Sequence, residues 1–175
     1  YVNDAGSQIE TLIDSLLIRY KEALNGEKAV IPEGFYPGEY LAVIGKKLAT
    51  DYGSKLLNMD ENSMRQKLKK IAVSEMLELI KLDLGKLGVK HDVFTSEQSL
   101  HDNGKIEEAV AILTKMGLIY HGILPPPKGK IDENWQEKEQ LLLRSSNYGD
   151  DQDRPIQKSD GSWSYLAADF AYAKD

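Results

Sequence analysis

The chain has 175 residues, 41% hydrophobic and 29% charged: enough apolar material for an ordinary domain, and too much for a chain disordered throughout. A formal net charge of -6 argues against a dedicated nucleic-acid-binding module, although a local basic patch is compatible with it. Cysteine is absent, which excludes disulfides, thiolate metal sites and cysteine nucleophiles and fits a reducing compartment.

In chain order, residues 1–8 (YVNDAGSQ) read as the end of a strand, and Tyr rather than Met at position 1 predicts an excised or processed segment. Ile9, Leu12, Ile13, Leu16, Leu17, Tyr20 and Leu24 then share one helical face, and Asn25-Gly26 supplies a stop. After a Pro/Gly loop, a second helix is expected over 39–57 on Leu41, Ile44, Leu48, Tyr52 and Leu56, weakened by Gly45 and Gly53. A third runs over 61–87, with Leu68, Ala72, Met76, Ile80 and Leu84 recurring along it. Arg65, Lys67, Lys69 and Lys70 near its start read either as a solvated face or as a contact for nucleic-acid phosphates, the former being the usual outcome.

Beyond residue 88 the texture changes. VKHDVFTSE (89–97) reads as a strand, and GKIEEAVAILTKMG (104–117) as a compact helix with Ile106, Ala109, Val110 and Leu113 inward. LIYHGIL (118–124) and EQLLLRSS (139–146) are strand candidates separated by an expected exposed loop at 125–138. Asp160-Gly161 predicts a tight hairpin, and a closing helix begins near Tyr165. No apolar run nears the roughly 18 residues that span a bilayer, and no signal-peptide pattern occurs. Helices first and an antiparallel sheet later predict an α+β fold.

The chemistry-bearing candidate lies at the end. Tyr165 and Asp169 stand one helical turn apart, so a phenol and a carboxylate share a face. Asp169 sits among Leu166, Ala167, Ala168, Phe170 and Ala171, and a buried carboxylate there needs a cation. A ligand guanidinium would supply one through paired hydrogen bonds; an internal Arg154 or Arg144, or exposure to water, is the plainer explanation from spacing alone. Glu97 reads as a helix-capping acid after Ser96 or as a second acid of a cation site. His91, His101 and His121 lack metal-ligand spacing, and GDDQDRP (149–155) lacks the frame of a calcium loop, leaving a turn that Arg154 can hold. No phosphate-binding glycine loop is present, and no metal site is expected.

Residues 1–9 (YVNDAGSQI), 91–100 (HDVFTSEQSL), 104–122 and 142–175 (LLRSSNYGDDQDRPIQKSDGSWSYLAADFAYAKD) together resemble arginyl-tRNA synthetases in order and spacing, while 26–88 match only in character. The resemblance implies a class I synthetase whose ATP motifs, HIGH-like and KMSKS-like, lie outside this chain. It implies that residues 1–8 and 161–175 belong to a Rossmann-type catalytic sheet domain and residues 9–160 to a connective insertion, a bundle-like helical half packed with a small antiparallel sheet. It further implies that Tyr165, Asp169 and Glu97 help bind substrate arginine, and that Asn3, Asp4 and Gln8 stand at the active-site rim with no role assigned. The full-length cytoplasmic enzyme would join arginine to tRNA(Arg) using ATP, with magnesium, and without a membrane; this chain alone would be inactive. A non-enzymatic binding module derived from a synthetase is the alternative. Ser7 departs from the Asn frequent in the family, and 125–138 resembles a lineage-specific extension.

Overall fold

The computed structural model describes residues 1–125, 137–158 and 160–175. The loop expected at 125–138 lies, for 126–136, outside the described residues. The chain forms two compact units, one of residues 3–94 and one of residues 1–2 with 95–175.

The first unit is helical. Helix α1 (Ser7–Asn25) buries Ile9, Ile13, Leu16 and Tyr20, with Leu12, Leu17 and Leu24 packed against the same core, so its apolar spacing is realised in full. It ends where Gly26 takes the left-handed conformation and its N–H returns to the Glu22 carbonyl. Helix α2 (Glu39–Tyr52) buries Leu41, Ile44 and Leu48. It stops short of the expected residue 57 because Gly53 turns to φ 53°, and the turns that follow still deliver Leu56 to the core. A Cβ on Gly45 would lie 2.7 Å from the backbone carbonyl of Arg19, so the absent side chain is what lets α1 and α2 approach backbone to backbone. The Tyr20 hydroxyl donates to the Gly53 carbonyl across the same unit.

Helix α3 (Glu61–Lys86) starts at Asp60, whose carboxylate accepts from the Ser63 N–H at 2.9 Å. Leu68 and Ala72 are fully buried, but Ile80 is 52% exposed. A repeat of four drifts about 40° per step around a helix of 3.6 residues per turn, so three steps carry Ile80 about 120° away from the direction of Leu68. The basic cluster is structural at two positions. Arg65 donates to Glu10 at 2.6 Å and to Asp14 at 2.7 Å on α1, and the Lys67 ammonium stands 4.6 Å from the Tyr52 ring centre.

Arg19 is almost fully buried and donates to Glu22 at 2.9 Å. That guanidinium holds the Glu22 carboxyl below its usual range, with the Ala29 N–H and the charge of Lys28 adding to the effect. A depressed folded-state value contributes stability that is complete above the ordinary carboxylate value of about 4 and is lost as pH falls through the folded value. The melting temperature of the chain is therefore expected to drop on acidification from about pH 5 to about pH 3. Glu22→Gln should make that drop shallower, as calorimetry at stepped pH would measure.

The second unit is α+β. Val2 and Ser96 form a parallel bridge, with the Val2 N–H donating to Thr95 and the Glu97 N–H to Val2. The strand expected over 89–97 reduces to that one bridge: Val93 is 75% exposed, and without a ladder partner an extended segment is not a strand. Helices α4 (Glu97–Asp102) and α5 (Lys105–Lys115) follow, then an antiparallel sheet of β1 (Ile119–Ile123), β2 (Glu139–Leu143) and β3 (Arg154–Pro155), in that order. Ile119 pairs with Leu143, and Leu142 with Pro155. The Asp160-Gly161 turn closes an antiparallel bridge between Gln157 and Trp163. Helix α6 (Tyr165–Lys174) starts at the expected residue. Leu100, Ile106, Ala109, Val110, Ile119, Leu143, Ile156 and the α6 alanines make this unit's core. No described helix is long and apolar enough to cross a membrane.

Candidate functional site

Helix α6 buries Ala167, Ala168 and Ala171, which lie on one face by helical spacing. Side chains this small let the helix settle closely on its neighbours, and α6 packs against both α5 and α4. Tyr165 and Asp169 occupy the opposite face; Tyr165 is 73% exposed and Asp169 is exposed as well. Of the readings open for Asp169, exposure to water is the one realised in this chain. Alanines satisfy the core from the other side, so the apolar composition of the helix does not desolvate its acid.

Neither internal arginine neutralises Asp169. Arg154 lies against Asp150 at 3.2 Å and Asp151 at 3.1 Å, and the Asp150 hydrogen bond pushes its own pKa upward. Arg144 donates to the Gly117 carbonyl at 3.1 Å, its guanidinium 4.1 Å from the Tyr120 ring centre. Asp169 makes no ion pair among the described residues. The phenol of Tyr165 and the carboxylate of Asp169 therefore present two acceptors, one turn apart, to whatever approaches that face.

Several contacts fix where this face stands. The Trp163 indole N–H donates to Glu107 at 2.8 Å, Lys174 reaches Glu108 at 2.9 Å, and Lys105 reaches Asp175 at 3.0 Å, tying both ends of α6 to α5. Upstream, Asp153 accepts from the Tyr120 hydroxyl at 2.7 Å and from the Ser146 hydroxyl and N–H. Donation from Ser146 and then Tyr120 holds the Asp153 carboxyl below its usual range. The acidic turn at 149–155 is thus a hydrogen-bonded scaffold, with Arg154 as its clamp. Sequence reading found the turn and its arginine but not Tyr120, Glu107 or Trp163. Partners 33 and 56 residues apart leave no local signal.

Glu97 opens α4, and its side chain is only 15% exposed. Ser96 supplies the cap, its hydroxyl accepting from the Ser99 N–H at 3.1 Å, and Glu97 is the first-turn acid that follows it, as the reading of a helix-terminal carboxylate after Ser96 expected. Its carboxylate lies 3.8 Å from His101 Nε2. Asn3, Asp4 and Gln8 belong to the helical unit; Asn3 and Gln8 are exposed, Asp4 is half-buried, and Gln8 sits in the first turn of α1. Among the described residues no cluster of His, Asp and Glu is arranged to hold a metal ion.

No family model matches the chain. Among curated proteins it is 61% identical over all 175 residues to arginine–tRNA ligases of Rickettsia bellii and Rickettsia akari, and 59% identical to that of Rickettsia rickettsii. The chain spans 30% of the length of these relatives. A solved Campylobacter jejuni structure described as an arginyl-tRNA synthetase superposes with a TM-score of 0.76 at 33% identity, covering 99% of this chain and 34% of that one.

Proposed function

We infer, for a chain that belongs along its whole length to the arginyl-tRNA synthetase family, that it supplies arginine-recognition residues and part of the tRNA-facing insertion of a longer enzyme. That enzyme would activate arginine with ATP and transfer it to tRNA(Arg) in the cytoplasm. The observation that carries this reading is the 61% identity over all 175 residues, a span that includes the α6 segment bearing Tyr165 and Asp169.

In this reading the substrate guanidinium is received by Asp169 and Tyr165 on the outer face of α6, with Glu97 contributing from the packed neighbour α4. Asp169, which makes no ion pair among the described residues, suits this task, because a ligand lacking the guanidinium would leave it unsatisfied. Exposed ion pairs contribute only about 0–1 kcal/mol, so strong selection requires that the bound amino acid and its surroundings exclude water from Asp169. ATP is a substrate of the whole enzyme. No metal cluster stands among the described residues, and no residue of this chain is assigned to magnesium. Residues 1–8 and 161–175 are read as parts of the catalytic domain and 9–160 as the insertion; the parallel bridge from Val2 to Ser96 supports a parallel-sheet setting for the first of these.

Full-length protein carrying this segment is expected to catalyse arginine-dependent ATP–pyrophosphate exchange in the presence of tRNA. The 175-residue chain alone is expected to give none. Exchange by the isolated chain would overturn its assignment as an incomplete catalytic unit. Its absence from the full-length protein would favour a non-enzymatic derivative.

A further inference from the structure

Helix α3 outruns the core it serves. At 26 residues it is about 39 Å long, against about 28 Å for the 19 residues of α1 that pack along it. Leu68 and Ala72 are its buried residues, and Val73 and Met76 still pack against that core at its edge. Over residues 77–86 no side chain is buried. The apolar line nevertheless continues. Val73, Met76, Ile80, Leu84 and Leu87 follow one another at steps of three or four residues, which keeps them within about 80° of one another around the helix. Ile80 is 52% exposed and Leu87, at the C-terminal cap, is 77% exposed. At this end the line opens into a groove of about 420 Å³, which Leu84 shares with Gly88, Val89 and Phe94.

A single exposed leucine is ordinary on a protein surface; a continuous apolar stripe that ends in a groove is not. Leu82 gives the contrast. It lies about 200° around the helix from Ile80, one turn from Glu78 and Lys86 and two turns from Glu75, an isolated apolar residue on a polar face. Charge narrows what can cover the stripe. The two lysines of residues 77–86 are neutralised within the helix, Lys81 by Glu78 at 2.8 Å and Lys86 by Asp83 at 2.8 Å, so this stretch offers no positive field to a phosphate backbone. Its complement is an apolar protein surface. The chain spans 30% of the length of its arginine–tRNA ligase relatives, so in such a protein more than twice its own length of polypeptide is tethered to it. A tethered surface acts at an effective concentration of the order of millimolar, whereas a second copy has to be recruited from solution. We propose that the stripe over residues 73–87, with its groove, is a docking face for the part of the full-length enzyme that lies outside these 175 residues. The proposal rests on membership of the family and not on the assignment of arginine-binding residues.

Single cysteines placed in the full-length enzyme test this by maleimide labelling, with the modified peptide located by mass spectrometry and each rate referred to that of the same variant in urea. Ile80→Cys and Leu87→Cys are expected to react at least about tenfold more slowly in the folded enzyme, and Leu82→Cys close to its unfolded rate. Cysteine is small and apolar, so each variant should fold, and a single cooperative melt reports that it has. Ile80→Asp should lower the melting temperature of the full-length enzyme while Leu82→Asp leaves it near the parent value, a second reading for the case where a cysteine variant does not fold. Protection of positions 80 and 87 that is the same at high and low protein concentration, without RNA, supports the proposal. Protection lost on dilution would assign the stripe to a second copy, and protection that appears only with added tRNA would assign it to a nucleic acid. Free reaction at both positions would leave it to solvent, and equal protection at all three would remove the distinction between the two faces. Each of these four results overturns the proposal. None of them bears on arginine-dependent exchange by the full-length enzyme, so the two readings fail separately.

Discussion

Asp169→Asn in the full-length enzyme is expected to raise the KM for arginine about 10- to 100-fold while leaving the KM for ATP within about twofold. The amide keeps the shape of the carboxylate and one acceptor oxygen but removes the charge, so the loss reads the charge-assisted part of guanidinium binding, about 1.5–3 kcal/mol. Tyr165→Phe, which removes a neutral hydroxyl, should cost less, about fivefold. The size of the Asp169 effect is informative because the residue is exposed in this chain. An acid that stays wet in the complex contributes about 0–1 kcal/mol, and its removal would change KM less than about sixfold. A large effect requires that water be excluded when arginine binds. Steady-state exchange kinetics with arginine and ATP varied separately make the measurement, and unchanged arginine kinetics in both variants would remove the two residues from the site.

The second large effect is structural. Gly45→Val is expected to destabilise the helical unit by about 2–3 kcal/mol, at the upper end of ordinary overpacking. The added Cβ would meet the Arg19 carbonyl carbon and oxygen at 2.7 Å and the Tyr20 nitrogen at 2.9 Å. Those are backbone atoms in the middle of α1, and they cannot swing aside as a side chain would. Gly45→Ala should cost less, since alanine recovers about 1 kcal/mol of helix propensity while still forcing the helices apart. Urea unfolding of the 175-residue chain, followed by far-ultraviolet circular dichroism, would show the order parent, Ala, Val in falling midpoint. A Val variant as stable as the parent would mean that the close approach of α1 and α2 is not maintained in solution.

Both expectations concern places where sequence and structure meet unevenly. The apolar spacing of α1 and α5, the stops at Gly26 and Gly117 and the Asp160-Gly161 turn were all legible, because each depends on residues a few positions apart. The shared face of Tyr165 and Asp169 was legible for the same reason. Motif order alone also pointed to the arginyl-tRNA synthetase family, and the relatives confirm that membership.

Exposure could not be read this way. Whether Asp169 is dry depends on which side of α6 meets a neighbour, and three alanines settled that in favour of the other face. Whether Ile80 is core depends on how far α1 accompanies α3, and the phase drift of the repeat carried it outward. Gly45 read as a weakness in a helix and proved to be a point of backbone contact; Arg65 read as part of a basic cluster and proved to be a tie to α1. The sequence by itself determined the local elements and the family, since propensity, capping and motif spacing act over one or two turns. Only the tertiary structure decided which charges are spent inside the fold and which face solvent, because that outcome is set by partners tens of residues away.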